Sequence, residues 1–206
     1  MNEYLPTKTN LMNLQDAIKL SKQGQSLLER KKLILMNEKE KYEEKAKKLR
    51  DDVNKLFLEA YSLLQEACMD IGMEKIEKIV KLFQIEDKID IKYKTVMGVE
   101  IPSIIWEEQI NIKEIKYNLY STSISLDKTV IKFNELKKYI FELTELENTV
   151  KRLEIAIQKV QTRSNALQNI IIPEQEEIAK NIQNVLEEKE REDFSRLKVI
   201  KRHSNT

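Results

Sequence analysis

The sequence predicts a mainly α fold: a long antiparallel two-helix coiled coil formed by the N- and C-terminal arms, with a short helix and a β-hairpin at the distal end. Three observations carry this reading. Apolar residues recur at heptad spacing over both ends of the chain. A single short stretch in the middle changes to the two-residue period of a strand. Only three Gly and three Pro occur in 206 residues, against roughly 12% of the two together in average proteins. Such a chain has few places to turn and must run straight for long distances.

The first arm shows the heptads best. Positions 11, 14, 18, 21, 25, 28, 32, 35, 39, 42, 46, 49, 53, 56, 60, 63 and 67 alternate steps of three and four. Thirteen of these seventeen are apolar, the exceptions being Ser21, Gln25, Lys32 and Lys39. That alternation is the seam of a left-handed supercoil. So narrow a stripe cannot cover a globular core, so the helix needs a partner. Thr9 or Asn10 is placed to cap its start. The arm should run to about Asp70 and stop at Gly72.

A short amphipathic piece follows from Met73 to Phe83, with Ile76, Ile79, Val80 and Phe83 on one face. Ile89, Ile91, Tyr93 and Thr95 then alternate with Lys88, Asp90, Lys92 and Lys94, the period of a strand. Met97–Gly98 supplies a tight turn, since Gly accepts positive φ. Val99 to Trp106 returns as the second strand. Pro102 cannot donate to a ladder, so it marks an edge or a break. Residues 107–123 read as strand or helix, and Ser121, Thr122, Ser123 and Ser125 offer N-caps to the next arm.

The second arm reads Phe133, Leu136, Ile140, Leu143, Leu146, Val150, Leu153, Ile157, Val160, Ser164, Leu167 and Ile171. An extra step of three at Leu143–Leu146 is a stammer. Pro173 lies inside this arm, where its ring and missing N–H demand a kink. The arm spans about residues 124 to 200 and should overhang the first by roughly 25 Å. The two arms must pair antiparallel, because a hairpin-bearing connector of some 50 residues cannot run back the full length of the coil. The chain thus divides into an N-terminal arm (1–70), a distal region (71–123) and a C-terminal arm with a basic tail (124–206).

The net charge of +1 makes no general case for nucleic acid. Charge is unevenly placed, with residues 1–50 at net +5 and residues 174–193 holding eight acids and three bases. Arg196 to Arg202 then holds four bases and no acid. Clusters of this kind are usually solvated helix faces. Cys68 is alone, which excludes an intrachain disulfide and suits a reducing compartment. No apolar run approaches the ~20 residues of a membrane span, and Met1–Asn10 has no apolar signal core. A cytosolic, soluble chain is expected.

No catalytic apparatus is visible. His203 is the only histidine and Cys68 the only cysteine, so neither a metal nor a thiol site has a ligand set. Gly24, Gly72 and Gly98 are isolated, and none opens a phosphate-cradling loop. No cofactor is expected. Mid-helix Gly24 is either a tolerated weak spot, costing about 1 kcal/mol against Ala, or a close approach of another backbone. Lys32 and Lys39 on the seam either snorkel or mark where it meets water or a partner. Trp106 is either core beneath the strands or an exposed anchor for a partner.

Four blocks lie in order along the chain: Pro6–Thr7–Lys8 with Leu11, Leu14, Leu20, Gly24, Leu27–Leu28 and Lys31; Met97–Gly98–Val99 with Pro102; Arg163–Ser164–Asn165–Ala166–Leu167, leading to Ile172–Pro173; and the acidic run Leu186–Glu192, then Phe194 and Arg196–Leu197–Lys198. Taken together, these blocks resemble the D subunit of the V-type and archaeal-type rotary ATPases, the central rotor shaft. The first is similar to the family's N-terminal pattern and the second to its central hairpin. The third resembles its most specific block, and the fourth is similar to its C-terminal block.

The resemblance implies a non-catalytic rotor that couples ATP synthesis or hydrolysis in a catalytic head to ion transport through a membrane ring. It implies contact of Pro6, Lys8, Arg191, Arg196, Lys198, Lys201 and Arg202 with that head, built of A and B subunits. Gly24, Arg163, Asn165, Leu167 and Pro173 belong to the shaft and its kink. Met97, Gly98, Val99, Pro102 and Trp106 form the distal hairpin. The small F subunit of the stalk and a C or d socket subunit are further implied partners. The complex would lie on the cytoplasmic side of the cell membrane, with this chain peripheral to it. A coiled-coil scaffold and a prefoldin-like holdase are the alternatives; the charged C-terminal tip argues against an apolar client-binding tip.

Overall fold

The computed structural model describes residues 5–81, 89–106 and 122–204. Its elements are α1 (Lys8–Ile71), α2 (Met73–Val80), β1 (Ile89–Val96), β2 (Val99–Trp106), α3 (Ile124–Ala166), a π-helical stretch (Leu167–Ile171) and α4 (Ile172–Ser204). The mainly helical coiled coil with one hairpin is therefore the observed fold. Phe83, and the strand-or-helix alternative for residues 107–121, lie outside the described residues.

Helix α1 starts at Lys8, ahead of both expected caps. The Thr7 hydroxyl accepts the Asn10 amide at 3.2 Å, which satisfies one of the orphan donors of the first turn. Thr9 and Asn10 lie inside the helix instead. Its end falls where glycine permits it. Gly72 has φ 87° and its amide still reaches Cys68 O, so the chain leaves one helix and enters α2 through a conformation that a Cβ would strain.

The chain divides into two compact units, Met1–Ile34 with Ile157–Thr206, and Leu35–Ala156. In the second, α1 and α3 run antiparallel. Lys39 meets Glu154 at 3.7 Å, Arg50 meets Glu147, and Glu59 meets Lys132 at 3.3 Å. These pairs border the seam, with Lys39 and Lys132 half-buried against it. Val53, Ala60 and Leu136 form one buried cluster with Leu49, Leu56, Phe133, Tyr139 and Leu143 packed on it. Ala67, Leu126 and Ile76 of α2 form another. Leu35 and Leu153 are fully buried. At the end of this unit the Asp70 carboxylate accepts hydrogen bonds from the Ser123 and Ser125 hydroxyls. Both serines sit at the start of α3, where anions are favoured.

In the first unit Lys8 meets Glu190 at 2.6 Å and Lys22 meets Glu176 at 2.7 Å. The Ser21 hydroxyl donates to the Gln175 side-chain oxygen at 3.3 Å. The order is again antiparallel. Helix α4 continues to Ser204, about 20 Å beyond its contact with the first turn of α1. That overhang is close to the expected length.

None of the seventeen predicted seam positions of α1 is exposed, and every buried residue of α1 is one of them. The second arm departs from prediction near Ile140, Thr149 and Ile171. Ile140 is 41% exposed, and Tyr139 packs inward instead. The short step of the stammer is thus taken at Leu136–Tyr139 as well as near buried Thr149. Ile171 is also exposed, and Ile172 is buried. The Ile172 amide bonds Leu167 O, five residues back. A π turn holds one residue more than an α turn, so the seam slips from 171 to 172. Pro173 has no N–H for its own helix, and the widened turn absorbs that defect immediately before it.

Leu153→Ala should cost about 2–5 kcal/mol in chemical denaturation of the full-length chain. Ile140→Ala should cost less than about 1 kcal/mol; equal losses would contradict the seam described. Asp70 carries a second expectation. Its two hydroxyl donors hold its pKa below the ordinary carboxylate value. The stabilisation is therefore complete above about pH 4 and is lost as pH falls through the lower folded value. Asp70→Asn should remove this acid-limb dependence, read as unfolding midpoint against pH; an unchanged profile would show that the clamp adds nothing.

Candidate functional site

The hairpin is built first by its turn. Val96 pairs with Val99, leaving a two-residue loop. Met97 at φ 51° and Gly98 at φ 80° are both left-handed, the pattern whose twist matches the flanking strands. Pairing runs on from there to Ile89 opposite Trp106. Residues of β2 alternate between facing β1 and facing away. Ile104 faces away, since its amide bonds the Glu145 carboxylate of α3 at 2.8 Å. Pro102, two residues earlier, therefore occupies a position from which no ladder donor is required. The prolines of strands sit on such edges, and this one is buried.

The hairpin lies alongside α3. Arg152 donates to Glu100 O at 3.1 Å and stacks 5.1 Å from the Tyr93 ring. Trp106 packs 5.6 Å from Phe141, with Lys137 and Lys138 near its face. Burial lowers the Lys137 pKa from its ordinary value. An open groove of about 320 Å³ remains between Ile104, Trp106, Phe141, Glu142, Glu145 and Leu146. Trp106 is thus half-buried, packed on Phe141 at one side and lining the groove at the other. Ile89, Ile91 and Tyr93 of β1 are exposed, as is Met97 at the turn.

The terminal residues form a second region. Pro6 is half-buried and Lys8 is held by Glu190. The pair raises the Lys8 pKa and lowers that of Glu190, through hydrogen bonding first and charge second. Arg191 and Arg196 each meet a glutamate one turn earlier, Glu187 at 3.7 Å and Glu192 at 3.6 Å. Lys198 lies 4.7 Å from the Phe194 ring, and Lys201 and Arg202 are exposed. Phe194, Leu197 and Ile200 are about 60% exposed on the same overhang, giving an apolar row flanked by bases.

The shaft residues lie between. Asn165 accepts from Gln161 at 2.6 Å, Arg163 and Pro173 are exposed and Leu167 is half-buried. Gly24 faces open space, with nothing within 4 Å of where its Cβ would sit. Among the described residues no backbone approaches it. Among those residues, too, no group of His, Cys, Asp or Glu is arranged to hold a metal, and no helix is long and apolar enough to cross a membrane.

The family profile for the ATP synthase D subunit matches residues 10–202. The chain belongs to the ATP synthase D subunit family. It is 39% identical to the D subunit of the V-type ATP synthase of Thermotoga neapolitana, over 95% of this chain and 96% of that one. It is 35% identical to the D subunit of the A-type ATP synthase of Methanopyrus kandleri, over 98% and 87%. The corresponding A-type protein of Thermococcus sibiricus is 37% identical, over 95% and 92%. The likeness to these D subunits therefore covers both arms and the hairpin together.

Sequence reasoning missed the seat of the hairpin: Glu145, Phe141 and Arg152. Phe141 was the available signal, an aromatic off the seam. Glu145 and Arg152 look like ordinary solvated helix charges until the strand's outward amide and carbonyl are known. Glu145→Ala should leave the Ile104 amide without that acceptor and cost about 1–3 kcal/mol locally. Trp106 is the only tryptophan, so its emission should shift to the red as the hairpin loosens. An unchanged spectrum would mean that this bond does not seat the hairpin.

Proposed function

We infer that this chain is the central-stalk rotor of a rotary ATP synthase or ATPase, coupling ATP synthesis or hydrolysis in the head to ion transport through a membrane ring. The observation that carries the reading is the D subunit match across residues 10–202, joined to near full-length relatives. The chain is non-catalytic; nucleotide sites belong to the A and B subunits of the head. A small F subunit and a C or d socket subunit complete the stalk, and the chain lies peripheral to the cytoplasmic face of the cell membrane. The scaffold and holdase alternatives give no reason for a family match of this extent.

The geometry supports a mechanism. Seam packing stiffens a helix pair, because each inward side chain is held between residues of the facing helix. The overhanging end of α4 is asymmetric, with bases and an apolar row on one helix only. Presented in turn to the A and B subunits of a ring, such a surface favours different conformations of identical neighbours, which is coupling through differential contact free energy. Lys198, Lys201 and Arg202 meet acidic surface of the head, and Pro6, Lys8, Arg191 and Arg196 lie at the same end.

Replacing Lys198, Lys201 and Arg202 together by Gln should make assembly with the head weaker and less salt-sensitive, and should lower ion transport per ATP turned over. Unchanged assembly and unchanged coupling would remove the charge contact from the mechanism. Affinity purification of the tagged chain should bring down ATP-binding ring subunits and a small stalk partner. Recovery as a homodimer alone would favour the scaffold.

A further inference from the structure

Three helix-weakening features lie at one level of the unit formed by Met1–Ile34 and Ile157–Thr206. The first is Gly24, deep inside α1, where glycine costs stability relative to alanine and where a methyl group would meet nothing within 4 Å. The second is the π-helical stretch Leu167–Ile171, closed by the Ile172 amide on Leu167 O. The third is Pro173, whose missing donor and bulky ring break the regular ladder. Ser21 bonded to Gln175 and Lys22 paired with Glu176 fix the register, so Gly24 lies opposite the start of α4.

The α1 side of this level is thinly packed. Between Leu14 and Leu35 no α1 residue is buried, and the seam there includes Ser21 and Gln25. Opposite them only Ile172 is buried, while Ile170 and Ile171 are turned to solvent. Glycine's presence here has no steric cause among the described residues. Its remaining physical effect is to leave the backbone easier to deform.

We propose that Gly24 and the Leu167–Pro173 segment together form a compliant joint, the level at which bending and twisting of this helix pair concentrate. Local opening occurs where few apolar contacts and weak backbone bonds coincide, and π-bulges and prolines are where helices bend. Load applied at the terminal overhang strains this level first. The joint is a property of the isolated chain and stands or fails apart from the rotor reading.

Amide hydrogen exchange of the full-length chain tests it. Residues 21–28 and 166–176 should exchange at least tenfold faster than residues 11–17 and 157–163, giving a local maximum inside the coil. Fraying from the chain ends would instead give a smooth decline from residue 8 inward. Gly24→Ala should slow exchange at 21–28 by about fivefold, and Pro173→Ala should slow it at 166–176 by a similar factor. Both variants relieve helix defects and are expected to fold. A smooth profile in the wild-type chain, or no slowing in either variant, would overturn the joint.

Discussion

Everything in this molecule depends on one narrow stripe of side chains between two helices. Neither arm has a second apolar face wide enough to hold it in a globule, so each helix is ordered only while the other covers its seam. Alanines at 46, 60 and 67 are among the most buried positions, and small residues let the helix axes come close. Leu35, Leu136 and Leu153 are buried on the same stripe. The ion pairs along the seam each keep at least one solvent-exposed partner and contribute little to stability individually. Their consistent order still records the antiparallel register.

Function follows from how that stripe is interrupted and extended. Along α1 between Leu35 and Ala67 Lys39 is the one polar seam position, and in that unit the hairpin is seated on the outer face of α3. Near the chain ends the seam becomes polar, passes the π turn, and stops before α4 does. The second arm therefore supplies a stiff partner in one stretch and an overhanging, charged and apolar tip in another. A rotor needs both: resistance to deformation, and a surface that differs from one side to the other.

Much of this was legible in the residues. The α1 seam needed only its period, and the hairpin needed only alternation with a Met97–Gly98 turn. Ile140 and Ile171 were misplaced because periodicity fixes a face only while helix geometry is uniform. A stammer and a π turn each move the face locally, and the π turn answers to the backbone of Pro173, not to hydrophobicity. The seat of the hairpin was invisible for a different reason. It is made by a carboxylate and a guanidinium reaching backbone atoms of β2, and backbone polarity is the same in every sequence. The terminal residues were picked out through family likeness. That Lys8 is held by Glu190 across helices, while Arg191 and Arg196 are held within their own, only the folded chain reveals.

The most direct test of the rotor reading is to watch the chain turn. A cysteine placed at exposed Met97, in a Cys68→Ser background, would carry a visible probe on the complex assembled with its head fixed to a surface. ATP should drive the probe round continuously in one direction, with the rate following nucleotide concentration. A probe that stays still relative to the head while ATP is hydrolysed would contradict the account.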